Sequence, residues 1–308
     1  VTLTLNPSID LSCRAQEVRP VRKIRTYGER YDSGGGGINV ARVINILGGP
    51  AWPVYLAGGF TGEAFDILFG REGIPGRRIG TRGATRVSHT VYEEITGKEY
   101  RFIPEGAVIA DSEWQAALDA VVATNADFVV ASGSVPRGVP EDIYALLAKR
   151  LAGSGRRLVL DTFGAPLAAG LRHGVYLAKP SIGELEALIG RPLPELSLVQ
   201  SVARKFVASG AAEILAVSLG HRGAVLATKQ DTLHLPAPAV TPISAVGAGD
   251  SFVGAMTYAL AQGRALTDAF RLAVAAGTAT VISPGTALCR LEDVERLYKE
   301  LETQSLTA

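Results

Sequence analysis

The chain has 308 residues, 47% of them hydrophobic, with 31 Lys and Arg against 30 Asp and Glu, for a formal charge of +1. Such a chain can bury a large core, and single α/β domains of this size are common. The charge balance argues against a broad nucleic-acid or anionic-membrane surface, while leaving room for a local basic pocket. Cys13 and Cys289 show no CxxC spacing, so no disulfide framework is expected and a reducing, cytosolic setting is. No apolar run is long enough to span a bilayer, and no charged region precedes an apolar one at the start. The numbering opens at Val1, so an initiator segment is expected ahead of it.

Residues 2–5 read as a short buried strand. Residues 10–32 are polar and lack a helical period, whereas 38–47 has one and predicts a helix. Strand 53–57 and helix 63–72 follow. Residues 86–103 alternate, with Val87, His89 and Val91 against Ser88, Thr90 and Tyr92, turn at Thr96-Gly97 and resume at Tyr100. Both interrupting segments, 10–32 and 86–103, read as strands of a small second sheet acting as a lid over one edge. Beyond them come helix 112–124, strand 128–131, helix 141–151, strands 158–160 and 175–177, helices 183–189 and 198–209, and strand 214–218. Ala224–Ala227 and Thr232–Leu235, joined by a polar turn, predict an edge hairpin. The last third is helical, at 249–261, 266–282 and 291–302. Strands alternating with helices predict a mainly parallel sheet covered on both faces, in one domain spanning 1–308.

Three stretches carry chemistry. Ser33-Gly34-Gly35-Gly36-Gly37-Ile38-Asn39-Val40-Ala41-Arg42 runs four glycines straight into a helix, exposing backbone amides to a polar ligand. Asn39 offers both a donor and an acceptor to paired sugar hydroxyls. A GxGxxG dinucleotide fingerprint fits poorly, because Asn39 occupies its third glycine position. Asp10 follows the first strand, where ligands of open α/β sheets collect. In Val246-Gly247-Ala248-Gly249-Asp250-Ser251, small residues open a long apolar helix. The amides of Gly247, Ala248 and Gly249 are then aimed at a developing anion, and Asp250 is placed to take a proton from an attacking hydroxyl. Alone, Asp250 would read as an acid favourable at a helix start; the flanking glycines favour catalysis. No GxxxxGK[ST] loop is present. His89, His173, His221 and His234 lack ligand spacing, and Trp52 and Trp114 read as packing residues.

The glycine-rich stretch and the late Gly247-Ala248-Gly249-Asp250 motif resemble the two signatures of the PfkB (ribokinase-like) carbohydrate kinases, in order and across essentially the whole chain. Thr2 to Asp10 is similar to the phosphofructokinase and tagatose-phosphate kinase branch. The four glycines, Lys23-Ile24-Arg25, Tyr100-Arg101-Phe102, Ser132-Gly133-Ser134 and Val246 to Met256 resemble the 6-phosphofructokinase isozyme II group. The resemblance implies a three-layer αβα sandwich with a β-sheet lid, and ATP-dependent phosphorylation of fructose 6-phosphate. Fructose 1-phosphate and tagatose 6-phosphate are the alternative acceptors, and a non-catalytic sugar-phosphate sensor is a further one.

It also implies roles. Asp10, Gly34, Gly35, Asn39 and Ser134 would hold the sugar, with Asp250 as base. Lys23 would reach from the lid to the transferring phosphoryl group, while Arg25 and Arg86 would meet the substrate phosphate. ATP would lie over Ser218, Gly220 and Gly223, near Lys179, Ser181, Gly249, Val274 and Thr278. Glu184 would organise Mg²⁺ through water, in a motif where Ser181 replaces the family's usual Asn. Ser244, Val246, Ser283 and Gly285 resemble a K⁺ site. A homodimer through the lid is expected, with no nucleic-acid or membrane partner.

Overall fold

The computed structural model describes residues 1–303. β1 (Thr2–Thr4) leads into β2 (Ser8–Ala15) and β3 (Thr26–Gly34), and α1 (Gly36–Ile46) follows almost at once. Next come β4 (Pro53–Gly58), α2 (Gly59–Gly70), β5 (Arg77–Thr81), β6 (Arg86–Glu93) and β7 (Lys98–Phe102). An alternating stretch runs through α3 (Asp111–Val122), β8 (Phe128–Ser132), α4 (Ile143–Leu151), β9 (Arg157–Asp161), α5 (Gly164–His173) and β10 (Val175–Ala178). After α6 (Ile182–Ile189), α7 (Leu196–Ala208) and β11 (Ala212–Ser218), the hairpin β12 (Ala224–Ala227) and β13 (Thr232–Leu235) closes the strands. Three helices finish the fold: α8 (Ala248–Ala261), α9 (Leu266–Val281) and α10 (Leu291–Glu302).

One nine-stranded sheet has the order β13-β12-β11-β10-β9-β8-β1-β4-β5. It is parallel from β11 to β5, and only the terminal hairpin runs antiparallel. Its central strands are buried on both faces, which explains uninterrupted apolar runs such as Phe128–Ser132. On one face Leu3, Val129 and Leu215 pack against Leu118, Tyr144, Leu167 and Val199 of helices α3, α4, α5 and α7. On the other, Val130, Val159 and Ile214 meet Val43, Phe252, Val274 and Leu297 of α1, α8, α9 and α10. The expected αβα sandwich results. α8 and α1 approach closely at Gly254, where even a Cβ would press on Val43.

The second sheet has the order β3-β2-β6-β7, so the two segments singled out as a lid pair with each other as expected. Within residues 10–32 the strands end at Ala15 and resume at Thr26, with a polar connection between. Two core elements had no clear trace in the sequence. β5 is an edge strand with Arg77 and Arg78 and only Ile79 buried; charge on edges discourages pairing with other chains and hides the pattern. α5 begins Gly164-Ala165-Pro166, which reads as a breaker, yet Pro is tolerated in a first helical turn, and Leu167 and Leu171 bury one face.

Candidate active site

The C-terminal ends of the parallel strands meet the N-terminus of α8. Gly247 takes φ 76° as the residue before that helix, a left-handed conformation that suits glycine, and a Cβ there would strike Leu288. This turn places Asp250 in the first turn of α8, half-buried, with Asn39 Nδ2 of α1 donating to Oδ2 at 2.9 Å. Burial raises the Asp250 pKa to about 7, helped by the charge of Asp161 and, more weakly, of Asp10; the Asn39 hydrogen bond and Lys179 oppose the rise. A carboxylate titrating there is matched to proton abstraction near neutral pH.

Two clefts flank this turn. The first, of about 200 Å³, lies under the lid and is lined by Asp10, Gly35, Asn39, Arg86, Arg101 and Asp250, with Ser8, Ser88, Thr90, Gly247 and Thr286 around them. The glycine run is explained by approach rather than flexibility. A Cβ on Gly34 would overlap the Asp10 carboxylate, one on Gly36 would overlap Ser132 Oγ, and Gly35 takes φ 113°. Asp10 accepts from Ser8 Oγ at 2.6 Å, and burial raises its pKa. Arg86 donates from Nη1 to Pro104 O at 3.0 Å and from Nη2 to Asn6 O at 2.9 Å. Its Nε is buried and has no hydrogen-bond partner. Burial lowers the Arg86 pKa, with Asp10 opposing. A fixed guanidinium with an unused buried donor beside a cleft is suited to an anion.

The second cleft is larger, about 610 Å³, and mostly apolar. Ser218, Gly220 and Gly223 line one wall, Val274, Gly277 and Thr278 of α9 the other, and Ala248 and Gly249 its floor. Residues 237–242 supply Pro238, Val240 and Pro242 as a further wall that was not singled out from the sequence. Lys179, just past β10, is buried and lies 3.1 Å from Asp161 Oδ1. A Cβ placed on Gly249 would sit 3.2 Å from its Nζ, so the ammonium overlies the first turn of α8. Burial alone would lower the Lys179 pKa, but Asp161 and Glu184 outweigh it and keep the ammonium charged.

Ser181 caps α6 from a reciprocal box: its N–H donates to Glu184 Oε2 at 2.7 Å and its Oγ accepts from the Glu184 N–H at 3.3 Å. Its hydroxyl oxygen thus accepts at the helix end. An isolated bridge joins Ser181 to Ser218, bringing the two sides of the expected nucleotide site together. Ser134 accepts from Asn6 Nδ2 at 3.1 Å and stands outside the first cleft's lining. Lys23 and Arg25 sit exposed in the connection between β2 and β3 and line neither cleft. The loops bearing Ser244, Val246, Ser283 and Gly285 are adjacent: Ile243 and Ser244 N–H groups both donate to Val281 O, at 2.8 and 3.2 Å.

Three contributors escaped assignment from the sequence. Arg101 faces the first cleft from β7, Thr286 borders it from the loop after α9, and Asp161 anchors Lys179. The alternation of the lid segment marked Arg101 as part of a strand but not as facing the cleft; the other two had no local signal. Among the described residues no cluster of three or more His, Cys, Asp or Glu is arranged for a metal ion. No helix among them is long and apolar enough to cross a membrane.

The profile of pfkB family carbohydrate kinases matches residues 4–293. The chain belongs to that family. Among its relatives is the ATP-dependent 6-phosphofructokinase isozyme 2 of Mycobacterium tuberculosis, 41% identical over 304 residues, covering 97% of this chain and 88% of the relative. The 1-phosphofructokinase of Borreliella burgdorferi is 30% identical over 308 residues, covering 99% and 98%. Phosphofructokinase-2 of Escherichia coli, solved with potassium, superposes with a TM-score of 0.94 at 37% identity, covering 98% of both chains. Its complex with fructose 6-phosphate gives 0.92 at 36%. This pfkB-family chain is accordingly a phosphotransferase with a sugar hydroxyl as acceptor.

Proposed function

We propose that the chain is a 6-phosphofructokinase, transferring the γ-phosphoryl group of ATP to the C1 hydroxyl of fructose 6-phosphate. The observation that carries this reading is the placement of one base between two unlike clefts. Asp250 faces a small polar cleft bearing Arg86 and Arg101, and the same helix end floors a large apolar one. The arginines receive the phosphate already on the sugar, while Asp10 and Asn39 hold its hydroxyls. Asp250 takes the proton of the attacking hydroxyl. The amides of Gly247, Ala248 and Gly249, with Lys179 above them, face the charge that develops on the transferring group.

ATP fits the second cleft, with its base among Pro238, Val240 and Val274 and its phosphates toward Gly249. Mg²⁺ supplies neutralisation of phosphate oxygens when bound with ATP. Glu184, beside Lys179 and Asp161, is the carboxylate that would hold its water shell, since Mg²⁺ is commonly bound through one or two carboxylates plus phosphate. Ser244, Val246, Ser283 and Gly285 are the residues for K⁺, in keeping with the potassium complex of the E. coli relative.

Tyr27, Tyr31, Phe102 and Ile103 leave apolar surface exposed on the lid, which supports a lid-to-lid homodimer. In such a dimer Lys23 and Arg25, which line neither cleft of their own chain, are available at the interface. Coupled ADP-release assays with fructose 6-phosphate, fructose 1-phosphate and tagatose 6-phosphate test the assignment. Equal or higher kcat/KM on fructose 1-phosphate would replace it with the activity named for the Borreliella relative.

A further inference from the structure

Outside the transferring groups, one buried ionic cluster joins the lid to the core. Asp32 of β3 is buried and stands directly opposite Asp10 of β2. Like charges at opposed positions of an antiparallel pair repel. Asp32 is compensated locally: Arg30 donates from Nε at 2.8 Å and Nη2 at 3.0 Å, and Thr286 Oγ1 donates at 2.6 Å. Arg42 Nη2 of α1 lies 3.7 Å away. Arg42 is itself buried and donates from Nη1 to Ser33 O at 3.2 Å, with Asn39 Oδ1 3.5 Å from the same nitrogen. Its Nε is 2.9 Å from Glu72 Oε1, off the N–H axis.

A lid strand, a core helix and the loop after α9 thus meet at one carboxylate. Two residues beyond Asp32 the chain leaves the lid at Gly34 and turns through Gly35 into α1. Asp32 itself does not line the sugar cleft, whereas Asp10, Gly35 and Thr286 do. We infer that Asp32 is a positioning residue: by gripping Thr286 and Arg42 it sets the seat of β3 over the core, and so aligns Asp10 and Gly34-Gly35 on the sugar phosphate. The inference rests on the sugar-phosphate kinase reading. Its distinctive content is that Thr286 acts through Asp32 rather than through the substrate.

A double-mutant cycle tests it, with Asp32→Ala, Thr286→Val and their combination assayed at saturating K⁺. Each single change should raise KM for fructose 6-phosphate about tenfold and leave KM for ATP within about twofold. The double variant should be no worse than the worse single one, and Thr286→Ser, which keeps the hydroxyl, should restore the wild-type KM. Multiplying effects, an equal rise in KM for ATP, or a Ser variant as impaired as Val would each overturn the proposal. Hydrogen exchange of unliganded enzyme supplies a second arm that needs no turnover and no Asp32 variant. The Tyr31 to Ser33 amides should exchange about tenfold faster in Thr286→Val than in wild type, with β6 unchanged. Unchanged β3 protection would defeat the inference even if the acceptor proves to be another sugar phosphate. Inactive wild-type enzyme with the expected exchange would instead defeat only the kinase reading.

Discussion

The two clefts on either side of the α8 N-terminus are built on opposite plans. The cleft under the lid is about 200 Å³, edged by Asp10, Arg86 and Asp250, each held by hydrogen bonds, and the backbone there approaches so closely that Gly34 and Gly36 admit no Cβ. The second cleft is about three times larger and lined mainly by Ala, Pro, Val and Gly, which contribute shape more than direction. One cleft offers fixed charges, the other an apolar slot and exposed main chain. Substitutions should therefore have sharp consequences in the first and graded ones in the second.

The largest break is expected where the clefts meet. Asp250→Ala should lower kcat by about 10³-fold or more, with dissociation constants for fructose 6-phosphate and ATP changed only a few-fold. Single-turnover kinetics beside equilibrium binding separate the two quantities. Loss of binding in parallel with loss of rate would assign Asp250 a structural role. Next in size, Arg86→Ala and Arg101→Ala should each reduce kcat/KM for the sugar phosphate by about 10²-fold while ATP kinetics stay near wild type. Assays on unphosphorylated fructose sharpen this point, because the penalty of losing either arginine should vanish with that acceptor.

In the larger, apolar cleft the same logic gives smaller effects. Val274→Ala removes apolar contact without unpairing any polar group, so KM for ATP should rise by less than about tenfold and sugar affinity should hold. A rise in KM for ATP of 10²-fold or more would show that this wall matters to ATP as much as Arg86 does to the sugar phosphate.

This contrast also explains what the sequence disclosed. A site that depends on backbone approach and helix-end geometry leaves local signatures: Gly34 to Asn39 and Gly247 to Asp250 are contiguous because the chain itself supplies the surface. Arg86 was reached only through the family resemblance, and Arg101 required two lid strands to be paired in register, which alternation suggested for the strands but not for the side chains that turn inward. Asp161 and Lys179 meet only because β9 and β10 are neighbours, so nothing near either residue marks the pair. Ser181 stood out as a departure from a motif, and the structure gives its hydroxyl a helix cap. Residues 237–242, rich in Pro and Ala, carry no chemical signal at all, yet wall the larger cleft.

The smallest effect concerns the cost of ionising Asp250. Burial raises Asp250 from an ordinary carboxylate value of 3.8 to about 7, so the folded state holds this proton more tightly than the unfolded chain does. Between those two values the native state binds more protons, and stability falls as pH rises; above about 7 the whole penalty is present. Asp250→Asn, nearly isosteric and neutral, should therefore melt roughly 3 °C above wild type at pH 8, with the gap closing toward pH 4. Activity should run the other way, kcat/KM of the wild type falling as pH drops below about 7 and the base is protonated. Asn39 donates to this carboxylate and holds its pKa down, so Asn39→Ala should move that acid limb to higher pH. Parallel melting and pH–rate curves for these two variants check both signs, and an unmoved limb in Asn39→Ala would detach Asn39 from the base.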